Sequence, residues 1–372
     1  MSWDNNNDIH QPSGSDNQSA ALLDQVLGFI VGQKASDLHL SSGKFFARIH
    51  GELKPLQGLP NLTPDQVAEA LRHVTKGDQW AQFQESKELD CAYTTPTGHR
   101  FRVNMSVQRG QVGAVFRSIP TEIKSLTELA MPPQISQLAQ LTRGLVLVTG
   151  PTGSGKSTTL AALVNEINET RTCHIVSVED PIEFVYENKT ALIDQREVGQ
   201  DTDSFGDALK HVLRQDPDVI LIGELRDLET ISAALTAAET GHLVFATLHT
   251  QDAPQTIDRI IDVFPPHQQA LVRTQLSTTL KGIICQNLVR TTDGNGRVAA
   301  TEIMFTTQAI ANLIRDGKIF QIPSSIQSGL GLGMHGMDQS LANLVKSGQI
   351  ALQTAVDYAH DKNAIQQLVA RA

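Results

Sequence analysis

Alternating apolar and polar positions characterise the first third of the chain. The clearest run, HRFRVNMSV at 99–107, puts aromatic and aliphatic side chains on one face of a strand and arginine, asparagine and serine on the other. Residues 63–75 instead have the spacing of one helix. The pattern predicts an antiparallel α+β domain over residues 21–120. Residues 1–20 are polar, which predicts a disordered tail.

The pattern changes after a loosely patterned, proline-containing stretch, which we predict to be a linker over residues 121–135. Beyond it, short apolar runs alternate with helical segments, as expected when crossover connections join the strands of a mostly parallel sheet. The runs lie at 145–149, 174–178, 219–222 and 243–248. The sequence therefore predicts an α/β domain over residues 136–372. From about residue 306, short amphipathic segments punctuated by glycine predict a helical appendage.

Composition narrows the classes of function. The net charge of −10 and an aromatic content of 5% argue against direct binding of nucleic acid. Cys91, Cys173 and Cys285 lie far apart, which excludes a disulfide framework and a four-cysteine zinc site and indicates a reducing compartment. No secretory signal is recognisable, and no apolar run approaches the ~18 residues of a membrane span. We therefore expect a cytoplasmic protein that reaches a membrane only through a partner.

A glycine-rich loop carries the strongest chemical signal. The segment GPTGSGKST at 150–158 follows an apolar strand and opens a helix, which is the context of a phosphate-binding loop. We expect its N–H groups to converge on phosphate oxygens, Lys156 to reach the β and γ phosphates of ATP, and Ser157 to bind Mg²⁺. The predicted nucleotide-binding residues are Gly150, Pro151, Thr152, Gly153, Ser154, Gly155, Lys156, Ser157 and Thr158. A purely structural turn is the alternative, and the flanking strand and helix disfavour it.

Two acidic loops follow other predicted strands. Glu179, Asp180 and Glu183 lie within five residues, where mutual repulsion raises the pKa of at least one carboxyl unless a cation or solvent relieves it. Taken alone, this segment is equally well a solvated loop or a site for Mg²⁺ or an activated water. Glu224 follows the apolar run at 218–222 and is Walker-B-like. Since parallel strands end at one edge of a sheet, we expect both loops to lie beside the phosphate loop.

Basic side chains complete the set of candidates. His249 lies at the carboxyl end of the run at 243–248, where it is placed to sense the γ-phosphate, whereas His242 lies at the other end and by itself favours a structural role. Hydrolysis also needs positive charge at the transition state, often from an arginine of a neighbouring subunit. Arg102 and Arg117 are candidates, although an ordinary surface position is the more common reading of each. A buried Arg117 would need an anionic partner.

Four motifs in a fixed order identify a family resemblance. They are GPTGSGKS at 150–157, VEDPIEF at 178–184, DPDVILIGE at 216–224 and GHLVFATLH at 241–249. Together they resemble the Walker A, Asp box, Walker B and His box of the secretion and type IV pilus ATPase superfamily, and the similarity covers residues 22–368. The segments ASDLHL at 35–40 and FRVN at 101–104 resemble the same family's N-terminal domain.

The resemblance implies a fold and a set of roles. The family's fold is a RecA-like P-loop ATPase domain preceded by a small PAS-like domain, and its members form homohexamers with the nucleotide between the two domains. The residues it implies for catalysis are Lys156, Glu183, Glu224, Arg102, Arg117, His242 and His249. Among them, Glu183 is the implied general base, Glu224 acts on the Mg²⁺ side, and the arginines contact phosphate. The family reading also gives His242 a functional role in place of a structural one.

The retraction branch of this family fits best. Assembly and secretion ATPases usually carry a four-cysteine zinc module and a longer N-terminal region, and both are missing here. Retraction ATPases carry a segment AIRNLIRE, which AIANLIRD at 309–316 resembles with Ala311 in place of arginine and Asp316 in place of glutamate. The resemblance implies a cytoplasmic motor at the inner-membrane face of the pilus machine, which depolymerises pilin with a platform protein as its partner.

Three alternatives stay open. An accessory retraction paralogue would explain the departures at Ala311 and Asp316. A pilus-assembly or type II secretion ATPase is disfavoured by the missing cysteine module. A nucleotide-gated adaptor that does not hydrolyse ATP belongs to a different class, and intact Lys156, Glu183 and Glu224 argue against it.

Overall fold

The computed structural model describes residues 18–49, 51–119, 122–294 and 296–370. The chain divides into two compact units, Met1–Thr121 and Glu122–Ala372. Residues 1–17 of the predicted tail lie outside the described residues. The first helix already includes Gln18, so the prediction of a disordered tail is corrected for residues 18–20, which are helical.

Within the described residues, the first unit contains six strands and three helices. Its helices are α1 (Gln18–Gly32), α2 (Pro64–Val74) and α3 (Gln79–Ser86). Its strands are β1 (Asp37–Ser41), β2 (Lys44–Ile49), β3 (Glu52–Pro55), β4 (Glu88–Thr94), β5 (Arg100–Gln108) and β6 (Gln111–Ile119). They form one antiparallel sheet of order β3-β2-β1-β6-β5-β4. The predicted α+β architecture is confirmed, and α3 is an addition to it.

Local sequence explains the best-defined elements of this unit. α2 begins with a capping box, in which Thr63 accepts a hydrogen bond from the Gln66 N–H and the Gln66 side chain accepts one from the Thr63 N–H. In β5 the predicted alternation is confirmed, since Phe101, Val103 and Met105 are fully buried. These three side chains belong to a core that also contains the apolar faces of α1 and α2.

The second unit is built on a seven-stranded sheet of order β13-β12-β7-β11-β10-β8-β9, counted over the residues that the structure describes. Its strands are β7 (Gly144–Thr149), β8 (His174–Glu179), β9 (Leu192–Glu197), β10 (Val219–Ile222), β11 (Leu243–Leu248), β12 (Leu280–Arg290) and β13 (Arg297–Phe305). Among the described strands of this sheet, β12 and β13 form the one antiparallel pair. The four strands predicted from apolar runs are confirmed as β7, β8, β10 and β11, and the mostly parallel sheet with them.

Helices flank this sheet and continue beyond it. They are α4 (Lys156–Thr170), α5 (Phe205–Val212), α6 (Leu228–Glu239), α7 (Ala253–Asp262), α8 (Pro266–Thr279), α9 (Gln308–Arg315), α10 (Ile322–Ser328), α11 (Met337–Lys346), α12 (Leu352–Tyr358) and α13 (Lys362–Ala370). The last five form the predicted helical appendage. Ile310 and Ile314 of α9 are buried in the main core, with Leu313 beside them, as expected of an amphipathic segment. Met337 of α11 belongs to a smaller core with β12 and β13.

The stretch predicted as a linker is part of the second unit. Leu126, Met131 and Ile135 are buried in an apolar cluster with side chains of β7 and α4, and a 3₁₀ helix spans Pro133–Leu138. The linker prediction over 121–135 is therefore corrected for its described residues, because buried positions in an irregular segment leave no periodic pattern. Nowhere in the described chain does a helix have the length and the apolar character that crossing a membrane requires.

Candidate nucleotide-binding site

Parallel neighbours in the second unit end at one edge of the sheet. The register pairs Leu248 of β11 with Thr149 of β7, and Ile222 of β10 with both Val178 of β8 and Ala246 of β11. The loops that follow these strands therefore leave the sheet at the same edge, as expected from the strand pattern. This carboxyl edge carries the phosphate loop, both acidic loops and His249.

The loop after β7 has the backbone of a phosphate-binding loop. Gly150 and Gly155 have φ angles of 142° and 88°, which favour glycine. A Cβ at Gly150 would lie 2.2 Å from the carbonyl oxygen of Gln286, so a side chain there would displace the backbone of β12. α4 begins at Lys156, and the first N–H groups of a helix have no partner within it. The loop therefore ends at a helix N-terminus, which favours an anion.

The side chains of this loop differ in burial. Lys156 is 8% exposed, and its Nζ donates to the carbonyl oxygens of Gly150 at 2.9 Å and Pro151 at 3.1 Å. Ser154 is buried, and its Oγ has no hydrogen-bond partner among the described residues. The exposed loop residues are Pro151, Thr152 and Gly153, whereas Gly155, Ser157 and Thr158 are half-buried. Among the described residues, the enclosed Lys156 ammonium thus has only carbonyl partners and the enclosed Ser154 hydroxyl has none.

The ammonium group of Lys156 interacts with both predicted acids. Burial lowers its pKa, and the charges of Glu224 and Glu183 act in the opposite direction without cancelling that effect. Both acids, which were predicted from separate motifs, are therefore within electrostatic range of Lys156. Within the described residues Lys156 has no carboxylate ion pair, so its charge is available to a ligand.

Glu179 is a buried carboxylate that holds the first acidic loop. It is 7% exposed, and burial raises its pKa to about 7 against the hydrogen bonds that it accepts. The Ser177 hydroxyl donates to its Oε1 at 2.8 Å, and the Glu183 N–H donates to its Oε2 at 3.2 Å. The pKa shift has the predicted direction, but burial rather than the predicted repulsion between carboxylates is its main cause, and repulsion by Glu183 is the smallest one. Glu183 itself is exposed.

Glu224 lies in a cluster of charges at the end of β10. The Nε2 of His249 is 3.1 Å from its Oε1, and the Nε of Arg226 donates to its Oε2 at 2.8 Å. Arg226 also forms an ion pair with Asp180 of the first acidic loop at 3.5 Å. Arg226 was not among the predicted site residues, although an arginine two positions after a strand-end acid is a signal that sequence reading could use. The cluster links both acidic loops to His249.

His242 lies apart from this cluster. It precedes β11 at the opposite edge of the sheet, where its Nδ1 is 3.0 Å from the Ala237 carbonyl oxygen and 3.3 Å from Thr240 Oγ1. The second unit therefore brings His249, but not His242, to the phosphate loop.

The two candidate arginines lie on neighbouring strands of the first unit. Arg117 on β6 donates from Nε to Asp37 Oδ1 at 2.9 Å, and Arg102 on β5 is 3.9 Å from Asp90. The Arg117 side chain is 69% exposed, whereas its carboxylate partner is buried. Burial favours a higher pKa for Asp37, but hydrogen bonds from Ser36 and Arg117 bring it below the usual value. Arg117 is therefore not the buried arginine that would need an anionic partner, and the buried member of its ion pair is Asp37.

The residues of the carboxyl edge fit ATP and Mg²⁺. The buried Ser154 hydroxyl without a partner, the Lys156 ammonium and the glycine backbone suit phosphate oxygens. The described residues contain no group of three or more His, Cys, Asp or Glu that could enclose a metal ion. Mg²⁺ does not need one, because it keeps most of its waters and binds phosphates with one or two protein ligands. Ser157 and Glu224 are the residues available for that role.

The fold and the site together define a class. A glycine-rich loop between β7 and α4, facing acids from neighbouring parallel strands, is the arrangement of a RecA-like P-loop ATPase domain. Residues 93–326 match the family described as Type II/IV secretion system protein, and the chain belongs to this family.

Among the relatives of this chain are a twitching motility protein and a pilus retraction ATPase. The chain is 52% identical over 309 residues to a twitching motility protein of Neisseria gonorrhoeae, covering 83% of this chain and 82% of that protein. It is 49% identical over 334 residues to the type IV pilus retraction ATPase PilT of Pseudomonas aeruginosa, covering 90% and 96%. A crystal structure of the pilus retraction motor PilT with bound ADP superposes with a TM-score of 0.87 at 43% identity, covering 93% of this chain and 99% of that chain. The predicted resemblance to retraction ATPases is confirmed.

Proposed function

We propose that this chain is an ATP-hydrolysing motor that powers the retraction of type IV pili. In this proposal it assembles as a homohexamer at the cytoplasmic face of the inner membrane, engages a platform protein of the pilus machine, and converts hydrolysis into depolymerisation of pilin and twitching motility. The observation that carries it is that the strand register brings the phosphate loop with Lys156 and the loops with Glu183 and Glu224 to one edge of the sheet. The match to a retraction ATPase covers 96% of that protein, which supports retraction rather than assembly of pili.

Binding of ATP is assigned to the phosphate loop. The N–H groups at the start of α4 and the Lys156 ammonium would neutralise the charge of the β and γ phosphates. Ser157 and Glu224 would hold Mg²⁺, directly or through water, and the bound ion would shield the charge that the phosphates share. Arg226 and His249 fix the Glu224 carboxylate between them, so that it has one orientation when the nucleotide enters.

Hydrolysis is assigned to Glu183. Its carboxylate would accept a proton from water while the water oxygen forms a bond to the γ-phosphorus and the bond from that phosphorus to the β-phosphate oxygen breaks. The hydrogen bond from the Glu183 N–H to buried Glu179 holds the loop that carries this base. The contact of His249 with Glu224 supports a proposed role for His249 in the response to the γ-phosphate. We keep Arg102 and Arg117 as proposed phosphate contacts, since their exposed guanidinium groups are accessible to an anion.

The enzymatic proposal is tested by phosphate release from the purified chain. Glu183→Gln keeps the shape of the side chain but removes the base, so kcat should fall at least about 100-fold while ADP affinity changes little. Glu187→Gln is the matched control, because Glu187 is an exposed acid of the same loop, and it should keep full activity. Equal rates for Glu183→Gln and the unaltered chain would overturn the assignment. A chain that binds ADP but releases no phosphate would be an adaptor.

Deletion of the gene tests whether the motor retracts or assembles pili. A retraction motor predicts cells with surplus surface pili and no twitching motility. Loss of surface pili would instead identify an assembly or secretion ATPase. Unchanged pili and unchanged twitching would identify the accessory paralogue that Ala311 and Asp316 allow.

A further inference from the structure

A buried amide from a distant strand holds the phosphate loop. Gln286 lies on β12, 132 positions from Ser154 in sequence, and is only 3% exposed. Its Nε2 donates to the Ser154 carbonyl oxygen at 2.8 Å, and its Oε1 accepts from the Thr159 hydroxyl of α4 at 2.8 Å. The Gln286 amide therefore binds the phosphate loop through its nitrogen and α4 through its oxygen.

The same residue lies against both ends of the glycine-rich loop. Its backbone carbonyl occupies the space in front of Gly150, as described above. Its Nε2 lies 2.8 Å from the position that a Cβ would take at Gly155. Close approach of β12 therefore accounts for two of the glycines in the motif, independently of any ligand.

The hydrogen bond to Ser154 also fixes the direction of the next N–H group. In a trans peptide the C=O and the following N–H point in opposite directions. Since the Ser154 carbonyl points to Gln286, the Gly155 N–H points away from β12. Inward-facing N–H groups of such a loop are the donors to phosphate.

We propose that Gln286 is a positioning residue for nucleotide binding. It holds the peptide between Ser154 and Gly155 with its N–H toward the phosphate, and it ties this peptide to Thr159 on α4. It sets the affinity for ATP and ADP without contact with the reacting atoms. This inference rests on the proposed nucleotide site and adds a determinant outside the phosphate-loop motif.

The sharpest variant is Gln286→Glu. It keeps the length of the side chain and an acceptor for Thr159, but it puts a carboxylate oxygen where Nε2 donates to Ser154. The peptide loses its partner in a buried site and faces a like partial charge, so we expect the Kd for ADP and the KM for ATP to rise about tenfold or more. We expect kcat at saturating ATP to change less than about threefold, since loss of uniform binding raises KM alone.

Asn168→Asp is the matched control. Asn168 is a fully buried amide at the other end of α4, where its Nδ2 donates to the Glu187 carbonyl at 2.8 Å and its Oδ1 accepts from the Lys189 N–H at 3.1 Å. The substitution makes the same chemical change to another loop. It should lower the thermal midpoint by a similar amount and leave the Kd for ADP within about twofold.

The measurements are calorimetric titration with ADP and steady-state phosphate release on the full chain. An unchanged Kd for ADP in folded Gln286→Glu would overturn the proposal, and so would equal weakening in Asn168→Asp. If Gln286→Glu does not fold, Thr159→Val removes one hydrogen bond at nearly constant volume and should raise the Kd a few-fold, whereas Thr159→Ser should restore it. An equal Kd in both Thr159 variants would then overturn the proposal. Failure of the unaltered chain to bind ADP would instead reject the proposed function.

Discussion

Polar side chains at the two edges of the sheet in the second unit differ in how fully they are hydrogen-bonded. At the edge where the strands begin, the His174 N–H donates to Asp218 Oδ2 at 2.8 Å and His174 Nε2 is 3.0 Å from Asp194 Oδ2. His242 at this edge contacts a backbone carbonyl of the preceding helix. Each of these groups has a partner of its own. These contacts stabilise the connections between the strands and the segments that precede them.

The carboxyl edge instead leaves its groups incompletely satisfied. The Lys156 ammonium is buried with only carbonyl partners, and Ser154 Oγ has no partner among the described residues. Such an arrangement costs stability unless a ligand completes it. The buried Lys156 ammonium and the Ser154 hydroxyl therefore mark the carboxyl edge as a place that an anionic ligand would complete.

The largest expected effect comes from removing the charge at the carboxyl edge. Lys156→Met keeps the length of the side chain but loses charge-assisted bonds to two phosphates, at ~1.5–3 kcal/mol each, so affinity for ATP should fall about 1,000-fold. The thermal midpoint of the nucleotide-free protein should stay equal or rise, because a dehydrated ammonium is replaced by an apolar group. Calorimetric titration and thermal unfolding measure the two effects.

Lys189→Met is the control for this substitution. Lys189 forms an ion pair with Glu169, and both side chains are substantially exposed. The variant should bind ATP normally and change little in stability. A Lys156→Met protein that binds ATP normally, or that unfolds far more easily than the unaltered chain, would remove the distinction between the two edges.

The second expected effect concerns the pH dependence of stability. The pKa of Glu179 is about 7 in the folded chain against an ordinary value of 4.5, so burial favours its neutral form. The corresponding stabilisation is complete below pH 4.5 and is lost as the pH rises to about 7. Glu179→Gln is neutral throughout. Its free energy of unfolding relative to the unaltered chain should therefore increase with pH, by up to about 3 kcal/mol.

Denaturant unfolding at several pH values between about 3.5 and 8 measures this difference and includes the range below pH 4.5 in which the control described next titrates. Glu169→Gln is a control of opposite sign, because the hydrogen bond from Lys189 lowers the pKa of Glu169 and stabilises its charged form. Its relative stability should decrease slightly as the pH rises, since both partners are largely exposed. Parallel pH profiles for Glu179→Gln and the unaltered chain would show that Glu179 is not the buried acid described here.

Sequence reading recovered the parts of this site that are local in the chain. Apolar runs of strand length located β7, β8, β10 and β11. The candidate site residues lie in the loops directly after these strands, as Gly150 and Glu224 do. Periodicity and turn residues are properties of neighbouring positions, so one chain is enough to read them. The position of the site at the carboxyl edge of the sheet then followed from the parallel direction of the strands alone.

Contacts between distant segments could not be read in this way. Gln286 is one polar residue in a buried strand, and nothing near it in the chain indicates that it binds Ser154. Leu126 and Ile135 are buried from an irregular segment, which has no periodic signal. The pairing of Arg226 with Asp180 likewise depends on which strands are neighbours in the sheet. These features depend on tertiary packing, whereas the loops depend on local sequence.

The smallest expected effect compares the histidines at the two ends of β11. Their motif gives both a functional role, but His249 Nε2 is 3.1 Å from Glu224 while His242 contacts its own preceding helix. His249→Asn should lower kcat about tenfold, because the Glu224 carboxylate loses a charge-assisted contact that orients it. His242→Asn should change kcat less than about twofold and lower the thermal midpoint instead, because it removes a local hydrogen bond. Phosphate release and thermal unfolding of the two variants, made side by side, separate these roles. Equal losses of kcat would mean that His242 acts on hydrolysis from the far edge, and the functional contrast between the edges would then fail for this motif.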